Sequence, residues 1–126
     1  MAIVNLTKDT FRDSISANDT VLVDFWAPWC GPCRQFAPVF EAQSEAHPDI
    51  VFAKVNTEEE QELAAHFGIR SIPTLMVFRQ QIIVFSQPGA LPPAGLITVI
   101  EKVGELDMDD VRRQIAEQQQ ADEGRA

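Results

Sequence analysis

Basic side chains are scarce in this sequence, and their scarcity limits the partners that it can have. The 126 residues include 10 lysines and arginines against 19 aspartates and glutamates, which gives a formal net charge of -9. No stretch clusters lysine and arginine, so phosphate groups would find no basic surface to bind. We therefore expect no nucleic acid partner, and we interpret the acidic excess as a source of solubility.

Long apolar runs are also missing. No segment approaches the roughly 18 consecutive apolar residues of a membrane-spanning helix. The first residues, MAIVNLTKDTFRD, lack the basic segment and the apolar stretch of a signal peptide. These features predict a cytoplasmic protein without a membrane partner. The length and the 45% hydrophobic content predict one globular domain with its own core.

Cysteine is limited to two residues, Cys30 and Cys33, and tyrosine is absent. Two cysteines supply no disulfide framework, and in a reducing compartment a close pair is more often catalytic or metal-binding than structural. The spacing leaves three hypotheses: half of a zinc site, an inert buried pair, or a redox couple. Zinc needs two more ligands, and His47 and His66 are too far apart for a typical second half-site. We therefore expect no metal.

The residues around the cysteines favour the redox hypothesis. The preceding run TVLVDFWA, residues 20–27, predicts a central strand buried on both faces. Pro32 lies where the next helix would begin, so the pair straddles a helix N-terminus. There, unpaired N–H groups and the positive end of the helix dipole favour a thiolate on Cys30. A C-x-x-C pair that follows a strand and opens a helix is typical of a redox couple.

The hydrophobic pattern of the whole chain alternates helices and strands. Helices are predicted over residues 7–17, 32–46, 58–68 and 91–106, and further strands over 49–56, 73–78 and 82–87. The last two strands are close enough for an antiparallel hairpin that turns at Arg79, Gln80 and Gln81. This order predicts a mixed α/β sheet covered by helices on both faces.

The C-terminal segment is polar and predicts one more helix. Asp107 is the predicted N-cap of a helix from Met108 to Gln119, followed by a fraying end. Met108, Val111 and Ile115 form a narrow apolar stripe along this helix. An isolated helix of this length is marginal in water, so we expect the stripe to pack on the chain's own surface and the protein to be a monomer.

The chain resembles the thioredoxin family from about Ile3 to Glu105. The shared motifs are VLVDFWAPWCGPC, Pro38, FAKVN, FGIRSIPT and PGALPPAGL. The resemblance implies the thioredoxin fold, a five-stranded mixed sheet flanked by helices, over residues 1–105. Residues 106–126 lie beyond the resemblance and form the predicted helical extension. The resemblance also implies a reductant of protein disulfides that binds no cofactor. Its electrons would come from NADPH through a flavoprotein thioredoxin reductase, as part of electron transport and redox homeostasis in the cytoplasm.

The resemblance also assigns roles to individual residues. Cys30, the more exposed cysteine, would attack a substrate disulfide, and Cys33 would resolve the mixed disulfide. Asp24 has apolar neighbours, so its pKa should be raised, and the family's buried aspartate at this position passes a proton to or from the thiols. Lys54 matches the family's lysine near that carboxyl and would modulate it; a solvated strand lysine is the alternative.

A docking surface for extended polypeptides is implied as well. The family has a cis proline at the position of Pro73, which faces the dithiol and leaves the backbone of Ile72 free to pair with a substrate strand. The residues of the expected surface are Trp29, Gly31, Pro32, Ile72, Pro73, Gly89 and Ala90.

The sequence departs from the family pattern in three places. Ser71 replaces a common glycine, the hairpin turn lacks Asn-Gly, and the chain continues about twenty residues past Glu105. Two other functions remain as alternatives. One is a dithiol oxidase or isomerase of the same fold, and the other is a binding subunit that does not need its cysteines.

Overall fold

Five strands form one mixed sheet in the computed structural model, which describes residues 3–124. The strand order is β1-β3-β2-β4-β5. The first three strands of that order run parallel, whereas β4 is antiparallel to β2 and β5 is antiparallel to β4. The strands are β1 (Ile3–Asn5), β2 (Thr20–Trp26), β3 (Val51–Asn56), β4 (Thr74–Arg79) and β5 (Ile82–Pro88).

Helices cover both faces of the sheet. The first and third helices pack on one face, and the second and fourth pack on the other. The helices are α1 (Phe11–Ala17), α2 (Gly31–Ala46), α3 (Gln61–His66), α4 (Pro93–Glu105) and α5 (Met108–Gly124). The predicted fold, a five-stranded mixed sheet between helices with an extra C-terminal helix, is confirmed. Within residues 3–124, no helix has the length and apolar character needed to cross a membrane.

The central strand β2 is buried on both faces, as predicted, from Val21 to Phe25. Val21, Val23 and Phe25 belong to the core beneath α1 and α3, and Leu22 belongs to the core beneath α2 and α4. Since successive strand side chains point to opposite faces, Asp24 points to the same face as Leu22. The sheet thus places the carboxyl of Asp24 on the face that α2 covers.

The beginning of the chain differs from the prediction in two respects. The strand β1 was not predicted, because it has only three residues and none of them is fully buried; its parallel pairing with β3 defines it. The first helix begins at Phe11 and not at Thr7. The hydroxyl of Thr10 accepts the Thr7 N–H at 2.9 Å, so it closes a turn before the helix and does not cap it.

The third helix is shorter than the predicted range of 58–68. Asn56 Oδ1 accepts the backbone N–H of Glu58 at 2.9 Å and that of Glu59 at 3.4 Å, which holds both residues in a loop. The C-terminal end agrees with the prediction, since Gly68 follows the helix with a φ of 64°.

The hairpin turn lies where it was predicted, but its conformation was not foreseen. Gln80 and Gln81 have φ angles of 51° and 68°, the pattern of a two-residue turn that matches the twist of the flanking strands. Contacts elsewhere in the chain hold this conformation. The Gln80 N–H donates to the Asp19 carbonyl at 2.7 Å, and the Arg112 guanidinium donates to Gln80 Oε1 at 2.5 Å.

The C-terminal helix begins as predicted and ends later. Asp107 Oδ1 accepts the N–H groups of Asp109 and Asp110 at 3.0 and 3.2 Å, which confirms the N-cap. The helix continues five residues past Gln119, to Gly124, so it is longer than predicted. Side-chain pairs four residues apart, such as Gln118 with Asp122 at 3.0 Å, support this last part.

Only part of the apolar stripe of α5 is buried. Met108 is buried, but Ile115 is 38% exposed. The expected packing of the stripe on the chain's own surface therefore holds at the first turn of the helix and not along its length.

Candidate active site

The two cysteines form a disulfide at the N-terminus of α2, just beyond the end of β2. Cys30 is the N-cap residue of this helix, and its Sγ accepts the backbone N–H of Cys33 at 3.2 Å. Pro32 occupies the first turn, where the N–H that it lacks would have no helical partner. The positive end of the helix dipole thus lies at the Cys30 sulfur, which favours a thiolate there once the disulfide is reduced.

Both cysteines are buried in this oxidised form. Cys30 is 4% exposed and Cys33 is 2% exposed, so the expected difference in exposure between them is very small. They pack with Ala27 and with the half-buried Trp26 and Ile72. The Cys30 Sγ lies 3.7 Å from the carbonyl oxygen of Ile72.

The expected docking residues lie in three segments: one contains the disulfide, the second contacts the Cys30 sulfur through Ile72, and the third contacts the second through Gly89. Trp29 is 64% exposed and directly precedes Cys30. The Ile72–Pro73 peptide bond is cis, and the Pro73 carbonyl accepts the N–H of Gly89 at 2.8 Å. Gly89 has a φ of 105°, a conformation that glycine adopts without strain. Of the remaining members, Gly31 is half-buried, and Pro32 and Ala90 are exposed.

Asp24 is fully buried, and neither of its carboxyl oxygens has a hydrogen-bond partner within the described chain. Burial raises the pKa of Asp24 to about 7, and the nearby Lys54 opposes that rise. The predicted burial and the predicted direction of the pKa change are both confirmed. A carboxyl with a pKa in this range can accept or donate a proton near neutral pH.

Lys54 faces Asp24 across the parallel pair of β2 and β3. Its Nζ lies 3.9 Å from Asp24 Oδ2 and 4.6 Å from the centre of the Trp26 ring. The Lys54 side chain is 15% exposed. The alternative of a solvated strand lysine is therefore wrong, because this ammonium group is held between a carboxyl and an aromatic ring.

Three residues near the dithiol were not singled out from the sequence. The Trp26 ring contacts Lys54, the Glu58 carboxylate accepts the Trp29 indole N–H at 2.7 Å, and Arg34 donates to the Pro28 carbonyl at 2.9 Å. Only the position of Trp26, two residues after Asp24 on the same strand face, was visible in the sequence pattern. Within residues 3–124, no three His, Cys, Asp or Glu side chains converge on a site for a metal ion.

Comparisons with known proteins agree with this geometry. The Thioredoxin family model matches residues 2–102. The "Putative thioredoxin 2" of Streptomyces coelicolor is 59% identical over 116 residues, which cover 92% of this chain and 87% of that protein. That match leaves only ten residues of this chain unmatched, so it extends into α5.

Other relatives match a smaller share of this chain. The thioredoxin of Porphyra purpurea is 43% identical over 104 residues, which cover 81% of this chain and 97% of that protein. The solved structure of a mutant thioredoxin from Halobacterium salinarum superposes with a TM-score of 0.77 at 36% identity, and the match covers 84% of this chain and 94% of the other. The sheet, the disulfide at the start of α2 and these matches show that the chain belongs to the thioredoxin family of thiol–disulfide oxidoreductases, the protein-disulfide reductases.

Proposed function

We propose that this protein is a dithiol reductant in which Cys30 is the nucleophile and Cys33 the resolving cysteine. The position of Cys30 at the N-cap of α2 is the observation that carries this assignment. There its sulfur already accepts a backbone N–H, and the same N–H would stabilise a Cys30 thiolate. Cys33 lies inside the first turn of the helix, behind Cys30.

The exchange takes place in two steps. The Cys30 thiolate attacks one sulfur of a client disulfide, which breaks the client S–S bond, forms a mixed disulfide and releases one client thiolate. The Cys33 thiolate then attacks the Cys30 sulfur, which releases the second client thiolate and forms the Cys30–Cys33 disulfide. The client gains two electrons and two protons, and this protein is left in the oxidised form that the structure shows.

Asp24 is the proposed proton acceptor and donor for this exchange. Its pKa of about 7 is close to the working pH, where a buried acid is most effective in proton transfer. It lies on the face of β2 that α2 covers, and the proposed proton path between its carboxyl and the Cys33 thiol is direct or through water. Lys54, at 3.9 Å, is the proposed modulator of its charge.

Clients are proposed to bind as extended segments across Trp29, Ile72 and Gly89. The carbonyl of Ile72 lies next to the Cys30 sulfur, so a client strand that pairs with the Ile72 backbone would place its disulfide at Cys30. Backbone pairing does not depend on client sequence, which suits a reductant of many proteins. The remaining members of the proposed surface are Gly31, Pro32, Pro73 and Ala90.

The proposed electron source is NADPH, delivered by a flavoprotein thioredoxin reductase to a monomeric protein in the cytoplasm. In the cytoplasm this protein would contribute to electron transport and redox homeostasis, with no nucleic acid or membrane partner.

The test of this function is steady-state reduction of insulin disulfides with NADPH and a bacterial thioredoxin reductase. Continuous NADPH oxidation that depends on insulin supports the proposal. A protein that oxidises reduced client peptides but does not reduce insulin would be an oxidase.

The roles of the two cysteines are tested by trapping. Cys33→Ser should accumulate mixed disulfides with cell proteins, visible as bands on non-reducing gels that disappear with dithiothreitol. Cys30→Ser is the matched control and should accumulate none. Mixed disulfides on Cys33 in the control would reverse the proposed roles.

A further inference from the structure

Trp29 and Glu58 form an exposed pair beside the disulfide. The Trp29 ring is 64% exposed and its Nε1–H donates to Glu58 Oε1 at 2.7 Å. The hydrogen bond uses the edge of the indole and leaves its face available for contact. A carboxylate is thereby held at the rim of the most exposed aromatic ring next to Cys30.

The position of Glu58 is fixed by its loop. The Glu58 N–H donates to Asn56 Oδ1 at 2.9 Å, and both the N–H and the hydroxyl of Thr57 donate to the Trp26 carbonyl, at 2.8 and 3.0 Å. The carboxylate therefore needs little further ordering when a client binds, which removes an entropic cost of recognition.

Trp26, the other tryptophan near the disulfide, shows that an aromatic ring and a carboxyl together can bind an ammonium group. Lys54 Nζ lies 4.6 Å from the centre of the Trp26 ring and 3.9 Å from the Asp24 carboxyl. An ammonium group is thus bound by an aromatic face and a carboxyl together. Trp29 and Glu58 present the same two groups to solvent, and no lysine or arginine of residues 3–124 lies over the Trp29 ring.

Arg34, the basic residue closest to Trp29 in the sequence, does not lie over the Trp29 ring. Arg34 donates to the Pro28 carbonyl at 2.9 Å, and its Nη2 lies 3.9 Å from where a Cβ on Gly31 would be, so its guanidinium lies over the first turn of α2. The neighbouring Glu59 is exposed and contributes negative charge, whereas the indole N–H of Trp29 donates to Glu58.

We propose that the face of Trp29 and the carboxylate of Glu58 form a subsite for a cationic client side chain, a lysine or arginine next to the client's disulfide. This inference rests on the proposed function, because it concerns which disulfides the dithiol reduces fastest. The cation stacks on the indole and pairs with the carboxylate while Cys30 attacks the adjacent sulfur.

The test compares disulfide-bridged peptides that differ at one residue next to a cysteine, lysine in one and norleucine in the other. The variable residue is placed before or after the cysteine in separate pairs. The protein is reduced beforehand and freed of reductant, so that the rate constant of peptide reduction requires no reductase. We expect the lysine peptide to react about five-fold faster than the norleucine peptide in one of the two placements at low salt.

Glu58→Gln keeps an oxygen that can accept the indole N–H and removes only the charge. Its ratio of lysine to norleucine rates should fall to about two-fold, the part that the aromatic face contributes. Glu59→Gln removes the same charge one residue away and should keep the wild-type ratio. Because each ratio compares two peptides on one variant, a general loss of rate cancels.

Two results would overturn the subsite. One is a ratio near one in the wild type for both placements, with the norleucine peptides reduced normally, which leaves the proposed function intact. The other is an equal fall of the ratio in Glu58→Gln and Glu59→Gln, which assigns the preference to the overall negative charge. Failure to reduce any peptide would instead refute the proposed function itself.

Discussion

Asp19 immediately precedes β2 and Asp24 lies in its second half, and the environments of these two carboxyls are opposite. Asp19 precedes the strand and has a side chain that is 61% exposed; it accepts hydrogen bonds from Thr20 at 3.0 Å and from Gln80 at 3.2 Å. These contacts, that of Thr20 first, lower its pKa. Asp24 is fully buried without a hydrogen bond, and its pKa is raised to about 7.

The contrast separates the molecule into a structural end and a reactive end. At the Asp19 end, polar groups are paired and hold the hairpin turn and the end of α4 in place. At the other end, about 20 Å away along the strand, a buried carboxyl has no hydrogen bond and a disulfide lies beside an exposed tryptophan. A buried carboxyl without a hydrogen bond costs stability, and its retention on this strand fits the role in proton transfer that we propose for Asp24.

The largest expected effect on stability comes from Asp24→Asn. Below about pH 4 the carboxyl is protonated in both the folded and the unfolded state. As the pH rises to about 7, the unfolded state loses this proton first, so the folded wild type loses stability. The pKa rise from 3.8 to about 7 corresponds to about 4 kcal/mol. Urea unfolding should show the variant about 4 kcal/mol more stable than wild type at pH 8 and nearly equal to it at pH 4.

Asp19→Asn is the matched control for this comparison. Because the fold lowers the pKa of Asp19, its charged form is stabilised, and the variant should be slightly less stable at pH 8. Disulfide exchange near neutral pH should slow only in Asp24→Asn. A variant of Asp24 that shows no gain in stability at pH 8 would remove the desolvated carboxyl from the mechanism.

Arg79→Met tests the structural end. Arg79 Nη1 donates to the carbonyl oxygens of Val103 and Leu106 at 2.7 and 2.8 Å, and its Nε lies 3.5 Å from Asp19. Loss of these bonds leaves the Leu106 carbonyl without its side-chain donor and leaves the Val103 carbonyl with only the Leu106 N–H, at 3.3 Å. We therefore expect the free energy of unfolding to fall by about 3 kcal/mol in chemical denaturation. Insulin reduction at 25 °C should be unchanged, and a loss of turnover in the folded variant would contradict the separation of the two ends.

Deletion of residues 107–126 should lower the free energy of unfolding by about 2 kcal/mol, less than Arg79→Met, because Met108 is the only buried residue of α5. Turnover on insulin should survive, since the helix is anchored at the end opposite the dithiol. Met108→Ala in the full chain should reproduce most of the loss. Analytical ultracentrifugation should show a monomer before and after the deletion; a dimer that the deletion dissociates would show that α5 packs on a second copy.

The smallest expected effect is a gain in stability. Gln81 has a φ of 68°, which costs a residue with a side chain about 1 kcal/mol relative to glycine. Gln81→Gly should therefore raise the free energy of unfolding by about 1 kcal/mol. Gln80→Gly removes the contacts with Asp19 and Arg112 as well, so its melting temperature should not exceed that of wild type.

Patterns of burial predicted most of the fold, whereas contacts between distant segments were harder to foresee. The strand β2 and the helix α4 were predicted correctly, because burial imposes a hydrophobic pattern on the sequence. In β2 this pattern is a continuous apolar run, and in α4 it is a set of buried residues at helical spacing, Leu96, Val99, Ile100 and Val103. The three residues of β1 carry no such pattern, because only pairing with β3 defines that strand.

The reactive end was predicted where the residues are adjacent in sequence. Cys30, Cys33 and Asp24 lie within ten residues, and their spacing relative to a strand and a helix is visible in the sequence. The bond between Trp29 and Glu58 joins residues that are 29 positions apart, and the conformation of the Gln80 turn depends on Asp19 and Arg112. Such pairs follow from the folded arrangement and not from local preference.

The position of α5 gives the molecule a natural point of attachment. The helix has 17 residues and a length of about 25 Å, and residues 112–124 are all exposed. Its anchor, the bond between Arg112 and Gln80, lies at the hairpin turn and therefore away from the dithiol. A protein immobilised or fused through the end of this helix would therefore keep the surface around Trp29 and the disulfide free for clients.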